Sequence, residues 1–172
     1  MNNLKINSVL KFVEDAESNP DILKKSKSVE GEWNLEEGNT QFSSEVEFKE
    51  GKLVLKSDQP PFMGGNGTAP DPIQYCLFGL TACFAGTFVT IATQQGITLE
   101  KFIISAENQV DLGMAVGLSD NPIVERVKIS VKVKGDISRD KLSEIEDIVT
   151  KRCPGVYCLT NPIPLETSVE VI

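Results

Sequence analysis

The stretch DPIQYCLFGLTACFAGTFVTIATQQG, residues 71–96, decides the reading of this chain. No charged side chain occurs from Pro72 to Leu99, a run about as long as a bilayer span. Gln74, Gly79, Thr81, Gly86, Thr87, Thr90 and Thr93 interrupt it, and no second apolar segment accompanies it. The run therefore reads as a helix buried on all sides within a non-membrane protein. Asp71 suits the N-cap, Pro72 the first helical position, and Gln74 the third residue of a capping box. Gly96 marks the end. Gly79, Gly86 and Thr90 recur at near-heptad spacing, so another backbone can approach closely, and a second copy of the chain is the expected neighbour.

On either side of this helix the apolar period changes. Ile6, Val9, Leu10 and Val13 are spaced as a helix, which Asn19-Pro20 ends. Val29, Trp33 and Leu35, then Phe42, Val46 and Phe48, then Leu53 and Leu55 alternate with period two. The turns Glu37-Gly38-Asn39 and Glu50-Gly51 separate them, giving a three-stranded antiparallel meander. A Pro/Gly-rich loop, Pro60 to Gly67, leads into the apolar helix. No Gly-Lys-Ser/Thr follows its glycines, so it is a turn-rich connection and not a phosphate cradle.

Beyond Gly96, Phe102, Ile104, Ala106, Val110 and Leu112 form one strand, and Val127, Ile129, Val131 and Val133 alternate with Lys128, Ser130, Lys132 and Lys134 in the next. Ser138 caps an amphipathic helix carrying Leu142, Ile145, Ile148 and Val149, with Ile137 and Leu142 placed as a hydrophobic staple. Pro154 ends it. Leu165, Thr167, Val169 and Val171 suggest a closing strand. The order helix, three strands, long helix, two strands, helix, strand is an α+β fold with antiparallel sheets. Residues 28–172 form one domain, with residues 1–27 as an N-terminal helical extension.

Composition removes several functions. A net charge of −8 with no basic run argues against nucleic-acid or anionic-membrane partners. The absence of His excludes imidazole acid–base chemistry, His triads and His metal sites. The N-terminus carries charges throughout and reads as no secretory signal, which points to the cytoplasm and to reduced thiols. The four cysteines then carry the chemistry. Cys76 and Cys83 lie two turns apart on the long helix, roughly 10 Å, too far for a direct disulfide. Cys153 stands in Arg152-Cys153-Pro154, with Cys158 five residues on. Zinc sites favour pairs closer than Cys153/Cys158, so no metal is expected. Each cysteine by itself also fits the role of a small buried residue.

Two motifs in fixed order resemble the OsmC/Ohr family. One runs from Gln59-Pro60-Pro61 through Gly64-Gly65 and Pro70-Asp71-Pro72 to Leu80-Thr81-Ala82-Cys83. The other comprises the 127–133 strand, Gly135-Asp136-Ile137-Ser138 and the helix ending in Arg152-Cys153-Pro154. The resemblance covers about residues 28–172. It implies an intertwined homodimer with long central helices inside and sheets outside. It also implies a thiol peroxidase acting on organic hydroperoxides, with Cys83 peroxidatic, Cys153 resolving, an external dithiol as reductant and no cofactor.

The chain departs from that pattern where the thiol is activated. The hydroperoxide-resistance branch uses an Arg from an N-terminal strand, but Arg126, Arg139 and Arg152 are the only arginines here. Gln74 stands where many OsmC-like members have Glu, and it serves equally as a helix cap. Arg152 and Gln74 are the candidates for supporting roles. An apolar surround without a cation should raise the Cys83 pKa. The alternative reading is a non-enzymatic OsmC-like dimer that binds a small apolar molecule.

Overall fold

Which segments pair, and which pack on them, follows the two periodicities. The computed structural model describes residues 1–172. The chain runs α1 (Ile6–Ser18), a 3-10 turn (Pro20–Leu23), β1 (Gly31–Trp33), β2 (Phe42–Phe48), β3 (Gly51–Ser57) and a second 3-10 turn (Pro61–Met63). It continues with α2 (Pro72–Gln94), β4 (Leu99–Val110), β5 (Val124–Gly135), α3 (Arg139–Arg152) and α4 (Pro154–Thr160). It divides into two compact units, Asn7–Phe78 and Met1–Ile6 with Gly79–Ile172.

In the Asn7–Phe78 unit the meander forms in the order β1-β2-β3, all antiparallel. Phe42 faces Ser57 and Phe48 faces Gly51, so Lys49-Glu50 is a two-residue turn. β1 is shorter than its alternation suggests: Val29 and Leu35 lie outside it and are exposed. The loop after β3 folds back on itself, with the Gly67 N–H donating to the Gln59 carbonyl at 3.3 Å. Gly65 is required there, since a Cβ would stand 1.9 Å from that same carbonyl oxygen. Asp58, 1% exposed, holds the returning loop by accepting from the Thr68 N–H at 2.9 Å and its hydroxyl at 2.7 Å.

The other unit holds the buried hydrophobic core. β4 and β5 pair as an antiparallel hairpin, with Phe102 opposite Val133 and Ala106 opposite Ile129. Their inward residues pack against Leu80, Phe84, Phe88, Ile91 and Ala92 of α2 and Ile145 and Val149 of α3. The Phe88 and Phe102 rings meet at 4.9 Å. α2 ends in a Schellman motif: the Ile97 N–H donates to the Ala92 carbonyl at 2.9 Å and the Gly96 N–H to Thr93 at 3.1 Å. Gly96 takes φ +75°, the left-handed conformation that glycine tolerates best. Ser138 caps α3 by accepting from the Lys141 N–H at 3.2 Å. Asn2 ties the N-terminus to this unit through the Ile97 carbonyl and the Leu99 N–H, each at 2.8 Å.

Three expectations change. α2 is not buried on all sides within one chain: Leu80, Phe84, Phe88, Ile91, Ala92 and Thr93 are buried, while Gly79, Ala82 and Gly86 on the opposite side are exposed. It is the one helix long and apolar enough to cross a membrane by length and composition, a test that core helices also pass. The closing strand is absent. Residues 161–172 have no regular structure, and Leu165, Val169 and Val171 are exposed; alternation sets which side chains share a face, not which sheet edge a segment joins. Pro154 ends α3 as expected but also opens α4, so Cys158 lies on a helix and not in a loop.

Candidate active site around Cys83

Helical spacing sets the position of the central thiol. Leu80, Phe84 and Phe88 recur every four residues and enter the core, leaving Cys83 at the margin of the buried face. It is half-buried. Cys153 is reached by a different route. Its N–H closes α3 by donating to the Val149 carbonyl at 2.8 Å, and its carbonyl opens α4 by accepting from the Tyr157 N–H at 2.9 Å. The residue is thus held as the cap of two helices at once, and it is 0% exposed.

The result is a thiol pair built from positions seventy residues apart in the chain. The Cys153 thiol lies 3.5 Å from the Cys83 sulfur and donates to it. The Gly155 N–H donates to the same sulfur at 3.4 Å. Gly155 makes this approach possible, because a Cβ there would sit 3.2 Å from Leu80 Cδ1 and 3.4 Å from Cys83 Cβ. All four cysteines are free thiols in this structure, with Cys76 and Cys158 exposed.

Burial pushes the Cys83 thiol above the ordinary thiol pKa; the Gly155 N–H opposes this, and the neighbouring Cys153 and Cys158 thiols add to the rise. None of these groups is a cation. Arg152 lies in the last turn of α3, exposed and without an ion-pair partner in the chain. Gln74 belongs to the α2 cap: its N–H donates to Asp71 Oδ1 at 2.9 Å and its Oε1 accepts from the Asp71 N–H at 3.0 Å. Its carbonyl oxygen is therefore committed to the helix cap. No group of three His, Cys, Asp or Glu side chains is arranged to hold a metal ion.

Sequence reasoning did not find Gly155. Its contribution is a main-chain N–H, which no residue type announces. The only signal is Pro154 directly after Cys153: a proline at a first helical position implies that the next amides are free to donate outward.

Two cavities adjoin these elements, one in each unit. One, of about 330 Å³, lies in the Met1–Ile6/Gly79–Ile172 unit between Phe84, Phe88, Val131, Leu142 and Val156, with Glu146 and Thr150 as its polar lining. The other, of about 410 Å³, lies in the Asn7–Phe78 unit and is walled by Val29, Trp33, Phe42, Leu55 and Tyr75.

Residues 65–168 match the family model described as OsmC-like protein. No curated protein matches the chain. Among solved structures it is similar to an OsmC-like protein from Mycoplasma pneumoniae, at 20% identity and TM-score 0.58, over 79% of this chain and 88% of that one. It is similar to an organic hydroperoxide resistance protein OsmC from Legionella pneumophila, at 20% identity and TM-score 0.58, over 80% and 92%. An organic hydroperoxide resistance protein from Elizabethkingia anophelis is similar at 15% identity and TM-score 0.57, over 80% and 91%. At these identities the likeness concerns the fold.

Proposed function

The chain belongs to the OsmC-like protein family, and on that premise we propose that it is a cytoplasmic, thiol-dependent peroxidase that reduces organic hydroperoxides. The observation that carries this reading is the 3.5 Å approach of the Cys153 thiol to the Cys83 sulfur, with a backbone N–H on the same atom. The organic hydroperoxide resistance proteins of Legionella pneumophila and Elizabethkingia anophelis share the fold and support the substrate class.

The cycle uses only these thiols. The Cys83 thiolate attacks the terminal oxygen of the hydroperoxide; the O–O bond breaks, sulfur becomes a sulfenic acid, and the alkoxide leaves as the alcohol after taking a proton. The Cys153 sulfur then attacks the sulfenic sulfur, water leaves, and a Cys83–Cys153 disulfide forms. The sulfurs are close enough that only a local shift is needed to reach bonding distance. An external dithiol returns both to thiols and is itself oxidised. The Gly155 N–H stabilises the thiolate in place of a cation.

The working form is a homodimer. Gly79 and Gly86 have nothing within 4 Å of where a Cβ would stand, and the alternating 165–171 segment forms no strand within its own chain. A second copy supplies a partner for both. Residues 28–172 then act as one OsmC-like domain, with 1–27 as an extension.

The test is turnover of an organic hydroperoxide with dithiol present. Wild type should consume it, and Cys83→Ser should not. Peptide mapping after oxidation should find the Cys83–Cys153 bridge; a bridge made mainly by Cys76, or one that leaves out Cys83, rejects the assignment. A second reading, a non-enzymatic dimer holding a small apolar molecule, is favoured by the raised Cys83 pKa and by the 410 Å³ apolar cavity. An apolar ligand retained in native mass spectra, without hydroperoxide turnover, would select it.

A further inference from the structure

An oxidised Cys83–Cys153 pair offers a reductant one closed sulfur and one half-buried sulfur. Cys153 is 0% exposed, and the Cys83 sulfur is approached by both Cys153 and the Gly155 amide. A dithiol in solution must attack one of these two sulfurs, and the chain itself carries a third thiol nearby. Cys158 is exposed and sits on α4, the helix whose first turn touches Cys83.

Helix geometry places it. Gly155 and Cys158 are three residues apart and so share a face of α4, with Cβ positions about 5–6 Å apart. A Cβ on Gly155 would stand 3.6 Å from the Cys83 sulfur. Cys158 therefore lies within a short displacement of Cys83, and its thiol acts electrostatically on the Cys83 thiol. The displacement is available. α4 has seven residues, and Val156 is the one among them that is buried, so the turn that carries Cys158 is held by few side-chain contacts. A helix this short is marginal without tertiary support.

We propose that Cys158 is a relay thiol that carries the disulfide from the Cys83–Cys153 pair to the surface. This rests on the thiol chemistry proposed above. The Cys158 thiolate attacks the Cys83 sulfur; the Cys83–Cys158 bond forms, the Cys83–Cys153 bond breaks, and Cys153 leaves as a thiolate that takes a proton. One thiolate of an external dithiol then attacks the exposed Cys158 sulfur and releases Cys83 as a thiolate. The second thiol of that dithiol closes its own disulfide and releases Cys158. The net change is two-electron oxidation of the dithiol and reduction of the protein.

The experiment compares Cys76→Ser with Cys76→Ser/Cys158→Ser, each oxidised with diamide to one Cys83–Cys153 disulfide and then reduced with dithiothreitol under pseudo-first-order conditions. Removal of Cys158 should slow reduction by roughly tenfold while leaving disulfide formation unchanged; equal reduction rates overturn the relay. In a second arm, Cys76→Ser/Cys153→Ser is oxidised with diamide and mapped. A Cys83–Cys158 bridge is expected, and its absence overturns the proposal. Diamide installs the disulfide without peroxide, so a failure of hydroperoxide turnover would be read separately. Cys158 is exposed, and the serine variant should fold as wild type does.

Discussion

The amide of Gly155 donates to the sulfur of Cys83 at 3.4 Å, and it is the one backbone donor on a thiol that burial otherwise holds in its neutral form. Only the thiolate is nucleophilic. With the pKa raised, the thiolate fraction grows as pH rises through and beyond the ordinary thiol value, so alkylation of Cys83 should climb with pH later than for a free cysteine. Gly155→Ala introduces a Cβ against Leu80 and Cys83 and moves the amide away from the sulfur. Its expected effect is a profile displaced further to alkaline pH, with iodoacetamide labelling of Cys83 at neutral pH slowed roughly threefold to tenfold. Mass spectrometry of the labelled peptide over a pH series measures it. Truncating the clashing neighbour in Gly155→Ala/Leu80→Ala should recover part of the loss.

Cys153 depends on α3 for its place, and α3 depends on Ile145 and Val149. Both are 0% exposed and pack into the cluster that includes Phe84 and Phe88. Ile145→Ala removes buried methyl groups and leaves a cavity, at a cost of about 2–5 kcal/mol. Urea unfolding followed by circular dichroism should show the midpoint fall by a corresponding amount. A change below about 1 kcal/mol would mean that this helix is not fixed by that contact.

Asp58 gives a pH dependence of opposite kind. Its carboxylate accepts from the Thr68 hydroxyl and N–H, and these bonds hold its pKa below the usual carboxylate value, although Oδ1 has no partner. A depressed folded-state pKa stabilises the fold fully above the unfolded carboxylate value, and that contribution is lost as pH falls through the depressed one. Wild type should therefore lose thermal stability on acidification below the ordinary carboxylate range. Asp58→Asn should start from a lower melting temperature near neutrality and change less over the same interval. Parallel slopes in the two proteins would show that other carboxylates control acid unfolding.

What the sequence made legible was whatever depends on local chemistry. Asp71 and Gln74 cap α2 reciprocally because their spacing allows nothing better, and Ser138 caps α3 for the same reason. Period-two runs became β2, β3, β4 and β5, with the expected inward faces in β4 and β5, while Phe48 of β2 and Leu53 of β3 are exposed. Features that depend on partners were not legible. The segment around Leu165 and Val169 alternates like a strand, but alternation fixes which side chains share a face and not whether an edge is available. α4 is too short to show a period, so Gly155 and Cys158 read as loop residues. The Cys83–Cys153 approach joins two helices through tertiary packing, and without the family resemblance no local pattern distinguished that pair from Cys76 or Cys158.

The exposed side of α2 tests the proposed dimer most sharply, because one substitution should affect fold and assembly in opposite senses. Gly86 lies mid-helix, where glycine costs about 1 kcal/mol relative to a good helix former, and a Cβ there meets nothing in its own chain. Gly86→Leu should thus stabilise an isolated protomer slightly. In a dimer that packs α2 against its counterpart, small residues set how closely the backbones approach, and a leucine would hold them apart. Light scattering coupled to size exclusion should give twice the 18.8 kDa chain mass for wild type and a shift toward the single-chain mass for Gly86→Leu, with helicity retained. A wild-type protein that runs as a single chain at micromolar concentration would remove the dimer. A Gly86→Leu variant that stays dimeric would move the interface away from this side of α2.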